Sequence, residues 1–143
     1  AGRAYLPACT RMGTDYLKRR SAGKGFFMMV EGSQIDWAGH GNNSAQLIAE
    51  MHDFEKTIEA ALEFAEKDKE TLVIVTADHE TGGMSIVQGS TMDSLDMKFT
   101  TKGHTASMIP VFAYGPGSEM FGGLYENTDI FFRIKKAMGW ERE

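Results

Sequence analysis

Five side chains in this 143-residue sequence have the types and placement that metal-assisted chemistry requires: Glu31, Asp36, His40, Asp78 and His79. Asp36 and His40 are four apart, which puts two ligands on one side of a helical turn or a compact loop. Asp78 and His79 are adjacent, so they point to opposite sides of a strand but suit a turn just past its end. A mixed carboxylate and imidazole set is what zinc accepts, whereas magnesium prefers oxygen ligands such as Glu31. His104, after Lys102-Gly103 in a second polar loop, is a candidate to complete a site.

Each residue also has a plainer reading. A lone histidine is more often a surface or hydrogen-bonded residue than a ligand, Glu31 alone is a loop acid, and Asp78 alone caps a turn. Joint placement raises the metal reading: three of the 4 histidines sit beside glycine or aspartate in loops. His52 lies inside a helical pattern and reads as structural. Trp37 suits either a lid over a pocket or a packing residue.

Two apolar runs must position these groups. Residues 26–30 and 72–75 are unbroken and apolar, short enough to favour strands, and each ends in candidate ligands. Between them Asn43 is a helix cap with Gln46 after it, and Leu47, Met51, Phe54, Ile58, Leu62 and Ala65 recur at steps of three and four. Strand, helix and strand predict a β-α-β crossover in a parallel sheet, with the candidate ligands in loops beyond the strand ends. A helix over 10–20 with Met12, Tyr16 and Leu17 near one face precedes this unit. A short strand over 84–87, a surface excursion over 88–98, a strand over 108–114 starting or edging at Pro110, and a last helix capped by Asn127 or Thr128 follow it.

Length and the absence of a linker predict a single domain over 1–143, and 42% hydrophobic with 24% charged residues is ordinary for a globular chain. A net charge of -5 without a basic run gives no footprint for nucleic acid. Cys9 alone excludes an internal disulfide framework. No apolar stretch approaches the ~18 residues of a membrane-spanning helix, and no signal-peptide pattern is present. Ala1 in place of a methionine fits an excised piece of a longer protein.

At the candidate ligands the sequence resembles the alkaline phosphatase family. Val30-Glu-Gly-Ser-Gln-Ile-Asp36 with His40 is similar to the family's first metal-binding segment and Thr76-Ala-Asp-His79 to its second; His104-Thr105 and Ala113-Tyr-Gly-Pro116 follow in the same order. The resemblance implies a three-layer α/β/α fragment with a mostly parallel sheet, from an enzyme that hydrolyses phosphate monoesters. It implies two zinc ions and one magnesium in the parent. Asp36, His40 and His104 would ligate the first zinc, Asp78 and His79 the second, and Glu31 would help hold magnesium, with Trp37 tuning the phosphate pocket. The family chemistry is a double displacement through a phosphoserine.

No counterpart of the family's nucleophile segment is found; Asp93-Ser94-Leu95 shares only its first two residues and stands elsewhere in the order. The bridging aspartate, the other magnesium ligands and the phosphate-gripping arginine are also unmatched. The chain therefore reads as a carboxyl-terminal portion that depends on a missing amino-terminal half. Alone it is expected to be inactive, with at most one well-formed zinc site and an uncovered face that favours self-association. A periplasmic or secreted location is what the resemblance suggests. Two other readings stand beside it: a phosphodiesterase, sulfatase or phosphomutase of the same superfamily, and a non-catalytic metal-binding or interaction domain.

Overall fold

A computed structural model describes residues 4–140. Its element order is α1 (Tyr5–Ser21), α2 (Gln34–His40), α3 (Ser44–Asp68), β1 (Val73–Val75), β2 (Glu80–Thr81), β3 (Ser85–Ile86), β4 (Met97–Lys98), β5 (His104–Thr105), β6 (Phe112–Tyr114), a 3-10 turn at Ser118–Phe121, and α4 (Asp129–Ala137). Two compact units divide these residues. One combines the chain up to Ala61 with His79–Met108, and the other combines Leu62–Asp78 with the chain from Ile109 onward.

In the first unit, α1 begins earlier than the spacing predicts. Pro7 is tolerated in the first turn because the N–H it lacks would have no intrahelical acceptor there. The buried face of α1 is Pro7, Thr10 and Thr14, while Met12 and Tyr16 point outward. Both threonines are buried at little cost because their hydroxyls donate back to the carbonyls of Leu6 and Thr10, at 2.9 and 3.0 Å. The helix crosses the 26–30 run at Gly13, where an added Cβ would lie 2.7 Å from Met28 Cε.

That run is extended and alternates as a strand does: Phe26, Met28 and Val30 are half-buried, Phe27 and Met29 exposed. Yet it belongs to no ladder among the described residues. The parallel ladder expected of a strand–helix–strand crossover is absent among the described residues. All three ladders are antiparallel, β1 with β6, β2 with β5 and β3 with β4. A continuous apolar run demands cover on two faces but does not specify which strand lies beside it.

The α3 start follows the sequence expectation, with Asn43 Oδ1 accepting the Gln46 N–H at 3.1 Å. Its buried stripe runs through Leu47, Asp53, Thr57, Ala60 and Ala65, rotated from the apolar one, so that Met51 is exposed. In the second unit β1 and β6 pair with Ile74 opposite Ala113, and Pro110 falls before β6, where its missing donor breaks no ladder bond. Thr128 stands at the N-cap position of α4, but its side chain makes no capping hydrogen bond. The 88–98 excursion is a hairpin arm, with β4 returning along β3. Among the described residues no helix is long and apolar enough to cross a membrane.

Candidate metal centre

Asp36 lies in the first turn of α2 and His40 at its end, so the helical spacing brings both side chains to one face. His79 immediately precedes β2, and His104 opens β5. The β2–β5 ladder sets Thr81 opposite His104 and Glu80 opposite Thr105, which brings the two histidine-bearing segments side by side. The third side of the site is α2 itself, which packs on β2 at Gly39. An added Cβ there would lie 2.9 Å from the Thr81 carbonyl oxygen and 3.0 Å from Thr81 Cβ and Cγ2, so only a glycine lets helix and strand approach this closely.

Within this frame four of the candidate ligands converge. Asp36, His79 and His104 each offer a donor atom within 4.8 Å of the others. His40 Nε2 lies 3.2 Å from His104 Nε2 and 3.5 Å from Asp36 Oδ2, and His104 Nε2 is 3.7 Å from Asp36 Oδ1. The His79 and His104 rings stack with centroids 3.5 Å apart. Side-chain exposures of 36% for Asp36, 42% for His40 and 48% for His104 leave the cluster open to solvent and to a ligand.

Hydrogen bonding assigns the state of one ring directly. His40 Nδ1 is 2.5 Å from the Lys102 carbonyl oxygen, which can only accept, so Nδ1 carries hydrogen. In the neutral ring the Nε2 lone pair then faces His104.

Glu80 locks the loop geometry. Its Oε1 accepts the Met84 N–H and its Oε2 the Gly83 N–H, each at 3.0 Å, and Oε2 also accepts the Thr105 hydroxyl. Burial acts to raise its pKa, but the Thr105 hydroxyl, the Met84 and Gly83 amides and the nearby His104 outweigh it, and the net shift is downward. Gly82, at φ +94°, donates to the Gly103 carbonyl and accepts from the Thr100 and Thr101 amides, so the loop before His104 is tied to the loop after His79.

The other sequence candidates fall elsewhere. Asp78 is exposed and belongs to the second unit. Glu31 is exposed ahead of α2 and borders a shallow pocket with Glu50, Asp53 and Phe54. Trp37 is 66% exposed on α2, next to Asp36. His52, exposed on α3, lies 3.4 Å from Glu55. Sequence reasoning missed Gly39, Glu80 and Thr81. The period of a strand was an available signal for Thr81, because residues two apart share a face and Thr81 is two beyond His79.

The α/β fold thus carries a carboxylate–imidazole cluster on α2, just before β2 and at the start of β5. The family model for alkaline phosphatase matches residues 5–96 and 91–140. The chain belongs to the alkaline phosphatase family. It is 33% identical to alkaline phosphatase 3 of Bacillus subtilis over 93% of this chain and 44% of that protein. To alkaline phosphatase of Escherichia coli it is 35% identical over 81% of this chain and 28% of that protein. The structure of alkaline phosphatase from the Antarctic bacterium TAB5 superposes with a TM-score of 0.87 and 49% identity, covering 97% of this chain and 42% of that one. Mutants of that enzyme are described with Mg bound. The chain thus spans less than half the length of these relatives.

Proposed function

We propose that this chain supplies the histidine and carboxylate ligands of a metal centre with which its parent protein hydrolyses phosphate monoesters. The convergence of Asp36, His40, His79 and His104 in one solvent-accessible cluster carries the reading. The donor set fits zinc: one carboxylate and three imidazoles are borderline ligands of the kind it takes. Two imidazole nitrogens 3.2 Å apart, beside a carboxylate, also need a proton or a cation between them.

On this reading Asp36, His40 and His104 hold one zinc, His79 and Asp78 hold a second, and Glu31 contributes to magnesium. Trp37 borders the phosphate pocket. Bound metal supplies Lewis-acid stabilisation of phosphoryl oxygens. What the chain itself does is hold lone pairs in place: the Lys102 carbonyl fixes the His40 ring, and Glu80 fixes the spacing of the His79 and His104 segments. The resemblance puts the serine nucleophile in the part of the fold this chain does not cover, so an amino-terminal portion is the partner that completes turnover. A periplasmic or secreted setting belongs to the same reading.

Two measurements test it. The purified chain is expected to retain about one zinc at micromolar free metal. With zinc and magnesium present it should hydrolyse a chromogenic phosphate ester no faster than its Asp36→Ala variant. Failure to retain zinc defeats the metal assignment, and turnover above that control defeats the need for an amino-terminal partner.

A further inference from the structure

The Thr81 hydroxyl touches two of the ligand candidates at once. Its Oγ1 donates to Asp36 Oδ1 at 2.6 Å and lies 3.2 Å from His79 Nδ1. A threonine hydroxyl has a single proton. At 2.6 Å from a carboxylate oxygen that proton is committed to Asp36, a short charge-assisted bond. Toward His79 the oxygen is therefore the acceptor, and the imidazole must present Nδ1–H. In the neutral ring Nε2 is then the nitrogen with the lone pair.

The position of Thr81 is set by three features independent of these bonds. Gly39 allows its backbone and side chain to lie against α2, with no room for a Cβ between them. The ladder holds its backbone opposite His104. Glu80, next to it, anchors the strand through the Gly83 and Met84 amides and the Thr105 hydroxyl. The hydroxyl thus reaches across from β2 to a ligand candidate on α2 that is 45 residues distant in sequence.

We propose that Thr81 is a positioning residue that couples Asp36 to His79, orienting the carboxylate and selecting the Nδ1–H tautomer of His79 so that its Nε2 serves as the metal-binding nitrogen. Its use in catalysis rests on the proposed metal centre, whereas the tautomer is a property of the metal-free chain. Thr81 acts through the two residues it contacts, as outer partners of metal ligands do.

The test uses the whole chain with Thr81→Val, which removes the hydroxyl at nearly constant shape, and Thr81→Ser, which keeps it. Imidazole tautomers are read from long-range proton–nitrogen spectra of the metal-free protein, and zinc affinity from competition with a chromophoric chelator. The native chain and Thr81→Ser are expected to show His79 as the Nδ1–H form. Thr81→Val should move His79 toward Nε2–H and weaken zinc binding about 10–100-fold. An unchanged His79 tautomer in Thr81→Val overturns the proposal, as does a Thr81→Ser chain that behaves like Thr81→Val. Zinc affinity reads the Asp36 side of the coupling, so a changed tautomer with unchanged zinc affinity overturns the role of Thr81 toward the metal held by Asp36. If no variant binds zinc but the tautomer still responds to Thr81→Val, the positioning role stands and the metal reading fails.

Discussion

Gly39 on α2 and Thr81 on β2 are in backbone contact, with the Thr81 carbonyl oxygen 2.9 Å from where a Cβ on residue 39 would sit. Gly39→Ala therefore sets two effects against each other. Helix propensity favours alanine by up to about 1 kcal/mol, and less so at the penultimate residue of a short helix. Overpacking against a backbone carbonyl costs about 1–3 kcal/mol, because the obstructing atom cannot rotate away. Destabilisation wins, and the urea midpoint of Gly39→Ala should fall below that of the native chain. A higher midpoint would show that α2 and β2 are not held in contact.

Glu80 accepts from two backbone amides and one hydroxyl, so its truncation leaves several donors without their acceptor. Glu80→Ala should cost about 1–3 kcal/mol, the range for hydrogen bonds to a charged group discounted for partial exposure. Glu80→Gln keeps one acceptor oxygen but turns an NH2 toward donors, and should fall between. The loss should also reach the site, since the ladder that aligns His79 with His104 is anchored here. Chemical denaturation ranks the three chains, and equal stability of all three would remove Glu80 from any structural role.

How far the site was legible in sequence depended on how local its geometry is. Asp36 and His40 share a face of α2, where their spacing had allowed either a helical turn or a compact loop and the ligands were expected in loops; His79 followed an obvious apolar run. Thr81 escaped notice because its partner Asp36 is distant in sequence, although period-two alternation placed it on the face of His79. Strand pairing was the least legible feature. Residues 72–75 and 108–114 were both readable as strand candidates, but their pairing depends on tertiary closure that hydrophobic patterning does not encode. Thr10 and Thr14 show the converse limit, since back-bonding to α1 carbonyls lets two polar side chains be buried on a helix whose apolar Met12 and Tyr16 are exposed.

His104 and His52 offer a matched comparison for metal binding. His104 lies 3.2 Å from His40 Nε2 inside the cluster, whereas His52 is exposed on α3 beside Glu55. His104→Ala should weaken zinc binding by at least ~100-fold, because it removes a proposed ligand outright, while His52→Ala should leave it unchanged. Chelator competition on both variants separates a specific centre from nonspecific imidazole binding. Equal losses would mean that the histidines bind zinc independently of the cluster.

The 26–30 run leads to a prediction about association. Phe27 is 54% and Met29 is 81% exposed on one side of an extended segment that joins no ladder among the described residues. An exposed, apolar, extended segment offers both a hydrophobic stripe and a template for strand addition. Met12, 71% exposed on α1, offers apolar area on a helix and no such template. If strand addition drives self-association, Met29→Pro, which removes a backbone donor and disfavours pairing, should shift sedimentation toward monomer more than Met12→Ser does. If the two variants shift it equally, association follows exposed apolar area in general, and the 26–30 segment has no special part in it.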